Sequence, residues 1–445
     1  MNIAEEIQRR ADRDADALVC GVERLTYREL FARADPVAGR LAPLPAARVA
    51  LDCPNGLQHV VLALAIVRAG KCLVPLAGEL APRERERVLR ETGVGAVVDE
   101  TGEAREIAVG ELAFDEKKLT ALNPAFIRFS SGTTGRSKGI VISHESLLAR
   151  VTAANRGLKI GPADRVVWIL PMAHHFAVSI ILYLLHGATT IIENSHLAED
   201  VLTAAAANGG TVLYGAPFHH AMLAAEQSGR AWPTLRLAVS TAATLPLATA
   251  RAFDERFGVP LTQGMGVIEV GLPLLNLARP SEKPASVGQA LPDYAAALNR
   301  DGELLLRGPG MLDAYLAPWR TRAEILEDGW FRTGDLASID ADGDVTLLGR
   351  SHSVINVAGL KCFPEEIEAV LCELPGVRFA RVFGKANARF GAVPVAEIVP
   401  SDLSKPPKIS ALAAHCRASL ARYKVPVEFR MVGAVPLTPS GKIQR

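Results

Sequence analysis

The chain has 445 residues, of which 49% are hydrophobic, with 49 lysines and arginines against 48 aspartates and glutamates. This near-neutral balance lacks the clustered positive charge that binding to nucleic acid or to an anionic membrane requires, and the length allows a buried core and more than one domain. The longest apolar runs, 60–67 and 180–185, are far shorter than the roughly 20 residues of a membrane-spanning helix, so we expect core helices there. The polar first residues and six cysteines without metal spacing predict a cytoplasmic protein.

Over the first two thirds of the chain, short apolar runs alternate with stretches of helical periodicity such as 59–68. The apolar runs are predicted strands, at 49–52, 94–99, 188–192 and 235–240. Strands that alternate with helices predict an α/β fold in which mostly parallel sheets are covered by helices.

The pattern changes after about residue 285 to closely spaced strands, at 302–307, 336–340 and 345–348. These predict an antiparallel β subdomain, and DADGD at 340–344 is expected to be a hairpin turn because its glycine is misplaced for a calcium-binding loop. A helix at 364–374 and further strands follow. We therefore predict a large N-terminal α/β domain of packed sheets over 1–349 and a small mobile C-terminal α/β domain over 350–445.

Residues 130–139 read SSGTTGRSKG and follow a predicted strand at 126–129. Their backbone N–H groups, hydroxyls and one ammonium are suited to binding phosphate oxygens. The loop does not fit GxxxxGK[ST], which weakens a kinase or GTPase interpretation. The residues expected to bind phosphate are Ser130, Ser131, Gly132, Thr133, Thr134, Gly135 and Lys138.

At this loop the chain resembles the adenylate-forming superfamily, which includes acyl-CoA synthetases, peptide-synthetase adenylation domains and luciferases. The resemblance continues in order to the last residues, although Ser137 stands where proline is usual. It is carried by LTYREL (25–30), AGKCLVPL (69–76), GELLLRGPGMLDAYL (302–316), DGWFRTGDLASIDADGDVTLLGR (328–350), VINVAGLKCFPEEIE (354–368) and LTPSGK (437–442).

The resemblance implies roles for several charged residues. Lys442 corresponds to a lysine that bridges the carboxylate and phosphate oxygens, which must be brought together despite their charge. Asp335 corresponds to an aspartate that accepts hydrogen bonds from ribose hydroxyls, and Arg350 to an arginine near the ribose. Glu269 corresponds to a glutamate that holds Mg²⁺ with the pyrophosphate oxygens.

The segment around Glu269, QGMGVIE at 263–269, departs from the family pattern QGYGMTE. Met265 replaces an aromatic ring that stacks on adenine, and Ile268 replaces a threonine that contacts the α-phosphate. We still expect the nucleotide to lie against this segment and against STAATLP, which resembles SGGAPLP. The residues concerned are Gly264, Met265, Gly266, Thr241, Ala242 and Ala243.

The small domain of the family rotates between two half-reactions, which implies a hinge at His352 and a tunnel for the incoming thiol at Gly359. Rotation is a hypothesis for this chain.

The acid-binding pocket is expected where PMAHHFAVS (171–179) and YGAPF (214–218) meet. Amino-acid-activating relatives have an aspartate at the position of Ala177, so we do not expect an α-amino acid, whose ammonium would be buried without a partner, as the substrate. The segment resembles AHNYPLS of aryl-acid-activating enzymes, although both histidines have a structural alternative. The predicted lining is His174, which we also expect to take part in catalysis, His175, Phe176, Ala177, Tyr214, Gly215 and Thr241.

Together these features predict ligation of a carboxylic acid at the expense of ATP, with Mg²⁺, through an acyl adenylate to a thioester of coenzyme A. One alternative is an adenylation enzyme that loads carrier-protein phosphopantetheine. The other, from a different class, is a non-catalytic nucleotide- or acyl-binding homologue, which Ile268 and Met265 keep open.

Overall fold

The structure is a computed structural model that describes residues 1–78, 80–129, 139–195, 197–357, 360–387 and 389–435. Its α-helices within these ranges are α1 (Ile3–Arg10), α2 (Tyr27–Leu41), α3 (Leu57–Arg68), α4 (Pro82–Thr92), α5 (Glu116–Ala121), α6 (His144–Leu158), α7 (Met172–His175), α8 (Ile181–Leu185), α9 (Ala198–Asn208), α10 (Pro217–Ala224), α11 (Leu247–Phe257), α12 (Arg322–Ile325), α13 (Pro364–Cys372) and α14 (Ile409–Ser419). A π-helical turn spans Phe176–Ile180, and 3₁₀ turns span Ser351–Ser353 and Arg422–Lys424.

The strands of the first half are β1 (Asp16–Cys20), β2 (Glu23–Thr26), β3 (Arg48–Asp52), β4 (Cys72–Pro75), β5 (Ala96–Asp99), β6 (Ala104–Glu106), β7 (Pro124–Phe129), β8 (Gly139–Ser143), β9 (Arg165–Trp168), β10 (Thr189–Ile192), β11 (Val212–Gly215) and β12 (Leu237–Ser240). Those of the second half are β13 (Leu261–Val267), β14 (Gly271–Leu275), β15 (Gln289–Ala290), β16 (Ala295–Leu298), β17 (Glu303–Arg307), β18 (Ala314–Tyr315), β19 (Arg320–Thr321), β20 (Phe331–Ile339), β21 (Val345–Arg350), β22 (Ile355–Val357), β23 (Leu360–Cys362), β24 (Val377–Asn387), β25 (Gly391–Pro400) and β26 (Glu428–Met431).

Two large sheets form the N-terminal part. Sheet one has the order β15-β14-β13-β12-β11-β9-β10-β1-β2, and sheet two has the order β19-β18-β8-β7-β4-β3-β5-β6. The central strands of both are parallel, and antiparallel strands lie at their margins. The predicted α/β class is confirmed.

Helix α3 lies between the two large sheets. It is apolar around its whole circumference, as expected for a helix without a solvent face, and its residues 57 and 59–67 are buried. It contacts β1 of sheet one and both β3 and β4 of sheet two. The sequence LQHVVLALAIVR therefore supplies the shared core of the N-terminal part, as predicted for the apolar run 60–67.

Sheet three, β16-β17-β20-β21, is antiparallel as expected after residue 285. Asp340, Asp342 and Asp344 lie at the turn between β20 and β21, which confirms the predicted hairpin. The Lys283 ammonium lies 2.6, 2.6 and 2.9 Å from carboxylate oxygens of these three residues. The acidic cluster therefore acts as an ion-pair anchor for the segment before β15.

Sheet four, β23-β22-β25-β24 with β26 beside β25, belongs to the smaller C-terminal part and packs against α13 and α14. The 3₁₀ turn Ser351–Ser353 separates it from sheet three. The domain boundary at 349/350 stays a prediction. Among the described residues, no helix combines the length and apolar character needed to cross a membrane.

Candidate functional site

A cavity of about 90 Å³ opens at the carboxyl edge of sheet one. Strands β11, β12 and β13 are parallel, so their carboxyl ends meet at one edge, where α/β proteins commonly bind ligands. The described residues that line the cavity are Arg128, Leu158, His174, His175, Val178, Ser179, Leu182, Tyr183, Tyr214, Thr241, Gly266, Val267, Ile268, Gly271 and Leu272.

An aromatic cluster centred on the fully buried Trp168 forms one wall. The ring of Tyr214 stacks on Trp168 at 5.9 Å between centroids, and Tyr183 and His175 meet Trp168 edge-on at 5.9 and 5.5 Å. Burial raises the pKa of Tyr214 to about 12 and that of Tyr183 well above its ordinary value. Both phenols therefore stay neutral.

Arg128 brings a positive charge to this cavity. One terminal nitrogen of its guanidinium donates to the backbone oxygen of His174 at 2.5 Å, and the other lies 3.2 Å from the His174 Nδ1. Because a guanidinium can only donate, this Nδ1 must accept, and a neutral His174 then carries its proton on Nε2. Arg128 therefore fixes both the position and the tautomer of His174.

The π-helical turn after α7 decides which side chains of FAVS reach the cavity. A π-helical turn is wider than an α-helical one, which changes the facing of successive residues. Phe176 and Ala177 are buried in the main hydrophobic core, whereas Val178 and Ser179 line the cavity. The structure thus does not bring the predicted pair Phe176 and Ala177 to the cavity lining.

The predicted second wall is present at the ends of β11 and β12. Tyr214 lies near the end of β11, Gly215 ends it, and the backbone N–H of Thr241 donates to the Gly215 oxygen at 3.0 Å. Ala242, at φ +73°, adopts the left-handed conformation that favours glycine, and Ala243 follows on the surface. Thr241 and Ala242 stand where the pattern SGGAPLP has two glycines. They therefore add side-chain bulk, and Ala242 also adds backbone strain.

Strand β13 carries the predicted nucleotide segment. Gly264 and Met265 are buried and pair with Leu275 and Leu274 of β14, while Gly266 is exposed and lines the cavity. A Cβ atom at Gly264 would come within 2.7 Å of the end of the Leu275 side chain, so a larger residue there would require that side chain to shift.

Glu269 follows the cavity residue Ile268. The Tyr315 hydroxyl donates to its carboxylate at 3.2 Å, and its backbone oxygen accepts from Leu312 at 2.7 Å. The buried Arg150 donates to the backbone oxygens of Ile268 and Gly310, both at 2.8 Å. Glu269 is half-buried and carries the hard oxygen ligands that Mg²⁺ prefers, so this position fits a magnesium ion held jointly with phosphate oxygens.

Asp335 and Arg350 form a second polar site on sheet three. They are direct cross-strand partners in β20 and β21, and the Arg350 Nε lies 2.9 Å from the Asp335 carboxylate. Arg350 also donates to the Thr333 backbone oxygen at 3.1 Å, and Asp335 is buried. The structure therefore brings together the two residues predicted near the ribose.

The remaining predicted residues lie outside the described ranges: Ser130, Ser131, Gly132, Thr133, Thr134, Gly135, Lys138, Gly359 and Lys442. The segment 130–138 connects β7 to β8, which pair as antiparallel strands from Phe129 and Gly139 onward. In a Walker loop a helix would follow instead, so this connection agrees with the mismatch in sequence.

Sequence reasoning missed Arg128, Ser179 and Tyr183. The sequence did contain a sign that Arg128 is functional, because it is the one charged residue in the strand PAFIRF, directly before the predicted phosphate loop. The sequence contained no such sign for Tyr183, because its apolar neighbours are typical of a core helix.

Comparisons with known proteins agree with this architecture. Residues 5–316 match the family model of the AMP-binding enzymes, and residues 366–442 match the model of the AMP-binding enzyme C-terminal domain. A sulfoacetate–CoA ligase from Cupriavidus necator is 35% identical over 72% of this chain and 66% of its own length. A feruloyl-CoA synthase from an Amycolatopsis species is 29% identical over 96% of this chain and 94% of its own. The crystal structure of ATP-bound MatB from Rhodopseudomonas palustris superimposes with a TM-score of 0.86 at 25% identity, covering 100% and 97% of the two chains.

Proposed function

Because this chain belongs to the AMP-binding enzyme family, we propose that it is an AMP-forming acid–thiol ligase that converts a carboxylic acid, ATP and coenzyme A into an acyl-CoA. The observation that carries this proposal is that a residue of the cavity lining directly precedes a carboxylate suited to Mg²⁺. Ile268 lines the cavity, and Glu269 is the next residue.

In the first half-reaction, a carboxylate oxygen of the acid attacks the α-phosphorus of ATP, and the bond to the pyrophosphate breaks. Glu269 would hold Mg²⁺, which neutralises the phosphate charge, and Tyr315 orients that carboxylate through its hydroxyl. Asp335 would accept hydrogen bonds from the ribose hydroxyls, with Arg350 keeping it in place. Ser130–Gly135 and Lys138 would bind the β- and γ-phosphates, and Lys442 would stabilise the charge that develops between acid and phosphate.

In the second half-reaction, the thiol sulfur attacks the acyl carbon, and AMP leaves. Relatives named as CoA ligases support coenzyme A as the acceptor. A carrier-protein phosphopantetheine presents the same thiol and is the alternative. The proposed rotation of the 350–445 domain about His352 would bring Gly359 to the thiol path.

An α-amino acid is not the proposed substrate. None of the described residues that line the cavity is an aspartate or glutamate, so a substrate ammonium would lack a partner there. The substrates named for the relatives, sulfoacetate and ferulate, differ widely in size and charge, so the test of this proposal uses a panel of acids.

Acid-dependent release of pyrophosphate tests the first half-reaction. The panel contains benzoate, cinnamate and short aliphatic acids, and Lys442→Ala is compared with Lys405→Ala on the exposed surface. Removal of a group that stabilises transition-state charge typically lowers kcat by roughly 100- to 1000-fold. We expect such a loss in Lys442→Ala and wild-type rates in Lys405→Ala.

Full activity of the Lys442 variant would contradict the role given to that lysine. The absence of release with every acid, from a protein that still binds ATP, would support the non-catalytic alternative. Addition of coenzyme A or of a phosphopantetheinylated carrier protein, followed by detection of the thioester, distinguishes the two acceptors.

A further inference from the structure

Arg150 is a positive charge enclosed in the N-terminal part of the molecule. It lies in the middle of α6 and is only 1% exposed. Its two hydrogen bonds within the described part of the chain go to backbone oxygens, and the carboxylates of Asp313 and Glu269 attract it without a direct ion pair. Its Nη2 is also buried and has no hydrogen-bond partner among the described residues. Because a buried guanidinium with an unpaired donor lowers stability, packing alone does not account for an arginine here.

One of these backbone oxygens belongs to the residue before Glu269. A backbone hydrogen bond of 3.0 Å closes residues 267–270 into a β-turn between β13 and β14, with Ile268 and Glu269 at its centre. The main types of β-turn differ by a rotation of the peptide between the two central residues. The Arg150 Nη1 donates to the oxygen of this peptide at 2.8 Å. Arg150 thereby fixes the turn type and the direction in which the Glu269 side chain leaves the backbone.

The other oxygen belongs to Gly310, which begins a segment that contacts Glu269 twice. The Arg150 Nε donates to the Gly310 oxygen at 2.8 Å. Farther along this segment, the Leu312 N–H donates to the Glu269 backbone oxygen at 2.7 Å and the Tyr315 hydroxyl to its carboxylate at 3.2 Å. Gly310 has a φ of +66°, and a Cβ atom there would collide with the backbone of α6, so this close approach requires glycine. One guanidinium therefore ties together the two segments whose contacts hold Glu269.

Helix α6 also joins this arrangement to the predicted phosphate loop. The helix begins directly after β8, the strand that follows residues 130–138. At its N-terminal end, the Ser143 N–H and the Ser146 hydroxyl donate to the Asp313 carboxylate at 2.6 and 2.9 Å. Asp313 belongs to the same segment as Gly310, so α6 meets this segment at two points. The helix that follows the predicted phosphate loop is therefore also the support of Glu269.

We propose that Arg150 is the positioning residue of the predicted magnesium ligand Glu269. It acts through the backbone oxygens of Ile268 and Gly310 and not through contact with ATP. The assignment rests on the proposed function, in which Glu269 holds Mg²⁺ together with phosphate oxygens. A carboxylate held in one direction binds a metal without losing further conformational freedom, whereas a turn released from Arg150 presents it in several directions. Removal of such a supporting group typically lowers metal affinity by roughly 10- to 100-fold.

Isothermal titration with ATP, in the absence of any acid, tests this assignment without turnover. The dissociation constant is measured with saturating Mg²⁺ and again with excess EDTA, and the ratio of the EDTA value to the Mg²⁺ value gives the contribution of the metal. We expect this ratio to fall by about tenfold or more in Arg150→Met and in Glu269→Gln. The double variant should have the ratio of Glu269→Gln, because without the carboxylate nothing remains for Arg150 to position.

Arg156→Met is the matched control, because Arg156 lies in the same helix and forms an exposed ion pair with Asp293. It should keep the wild-type ratio. Arg150→Lys retains the charge, but an ammonium lacks the planar fork that reaches both oxygens, so this variant should lie between wild type and Arg150→Met. Urea denaturation of each variant separates an effect on stability from an effect on the ratio. If Arg150→Met does not fold, Arg150→Lys provides the test.

The outcomes separate this assignment from the proposed function. A wild-type ratio in every folded Arg150 variant, with only a lower midpoint of urea unfolding, shows a merely structural role and overturns the assignment. A double variant whose ratio falls below that of Glu269→Gln also overturns it, because Arg150 then acts on the nucleotide independently of the carboxylate. A wild-type protein that binds ATP equally with and without Mg²⁺ contradicts the metal role of Glu269 and the assignment together. The proposed function fails separately, when no acid gives pyrophosphate release, and the ratio still tests Arg150 in that case.

Discussion

The pair Asp335 and Arg350 and the cavity at the edge of sheet one are built on different frameworks. Asp335 and Arg350 lie opposite each other in one hairpin, so the register of β20 and β21 alone brings them together. The cavity combines the end of β7, a π-helical turn, the ends of β11 and β12 and the strand β13. The Asp335–Arg350 site joins two residues that are 15 positions apart in the sequence. The cavity joins segments that are more than 100 positions apart.

This difference indicates which of the two sites can change the specificity for the acid. A site made by one hairpin keeps its geometry whatever the acid is, and it suits the part of the reaction that all acids share. A cavity assembled from several segments changes its shape and charge with single side chains such as Arg128. If this view is correct, changes in the hairpin should affect ATP for every acid, and changes in the cavity wall should affect the acid or the stability of that wall.

The largest effect on the KM for ATP is expected for Asp335→Ala. The variant loses the carboxylate proposed to accept from the ribose and leaves Arg350 without this partner. Since a hydrogen bond to a charged group contributes about 1.5–3 kcal/mol, the KM for ATP should rise by roughly 10- to 100-fold. Steady-state kinetics with ATP varied and the acid saturating, then the reverse, measure both KM values.

Asp301→Ala, in the exposed turn before β17, is the control and should leave both KM values unchanged. Asp335→Asn retains one acceptor oxygen and should have an intermediate effect. A KM for the acid that rises as much as that for ATP would break the comparison, because the hairpin and the cavity would then not act separately.

The same contrast explains how much could be predicted from the sequence. The hairpin at 340–344 was predicted from the strand patterns on either side of it, and the α/β class from the alternation of apolar runs. The resemblance implied that Asp335 and Arg350 both lie near the ribose, and their direct pairing is a finding of the structure. The sequence did not predict that Val178 and Ser179, and not Phe176 and Ala177, line the cavity. This arrangement depends on a π-helical turn, which no periodicity in the sequence FAVS (176–179) indicates. The left-handed conformation of Ala242 was also beyond reach, because alanine rarely adopts it.

A smaller effect is expected from the titration of His220, which makes the free energy of unfolding depend on pH. This buried ring donates from Nε2 to the Val239 oxygen at 3.1 Å and packs behind Gly215. Burial lowers its pKa to about 4, so the folded protein favours neutral histidine and the unfolded chain binds the proton more tightly. The contribution of His220 to stability is therefore complete above about pH 6.5 and is lost as the pH falls toward 4.

Between pH 7.5 and 5.0, linkage at His220 alone should lower the free energy of unfolding by about 2 kcal/mol. His144, whose pKa is also lowered to about 4, should add a similar loss, and most carboxylates stay ionised in this window. Urea denaturation of wild type and His220→Gln at both pH values measures the difference. Equal pH dependence in the two proteins would show that His220 does not titrate on unfolding.

The smallest effect is expected at Ala242, beside the cavity residue Thr241. An alanine in the left-handed region costs about 1–2 kcal/mol, and glycine, which does not have this cost, gives back part of the gain through greater freedom in the unfolded chain. Ala242→Gly should therefore raise the free energy of unfolding by about 0.5–1 kcal/mol. Ala243→Gly, next to it but without positive φ, is the matched control and should be neutral or destabilising. If both variants behave alike, the strain is absent; if Ala242→Gly is more stable but has a higher KM for the acid, the strained alanine helps to hold Thr241 against its substrate.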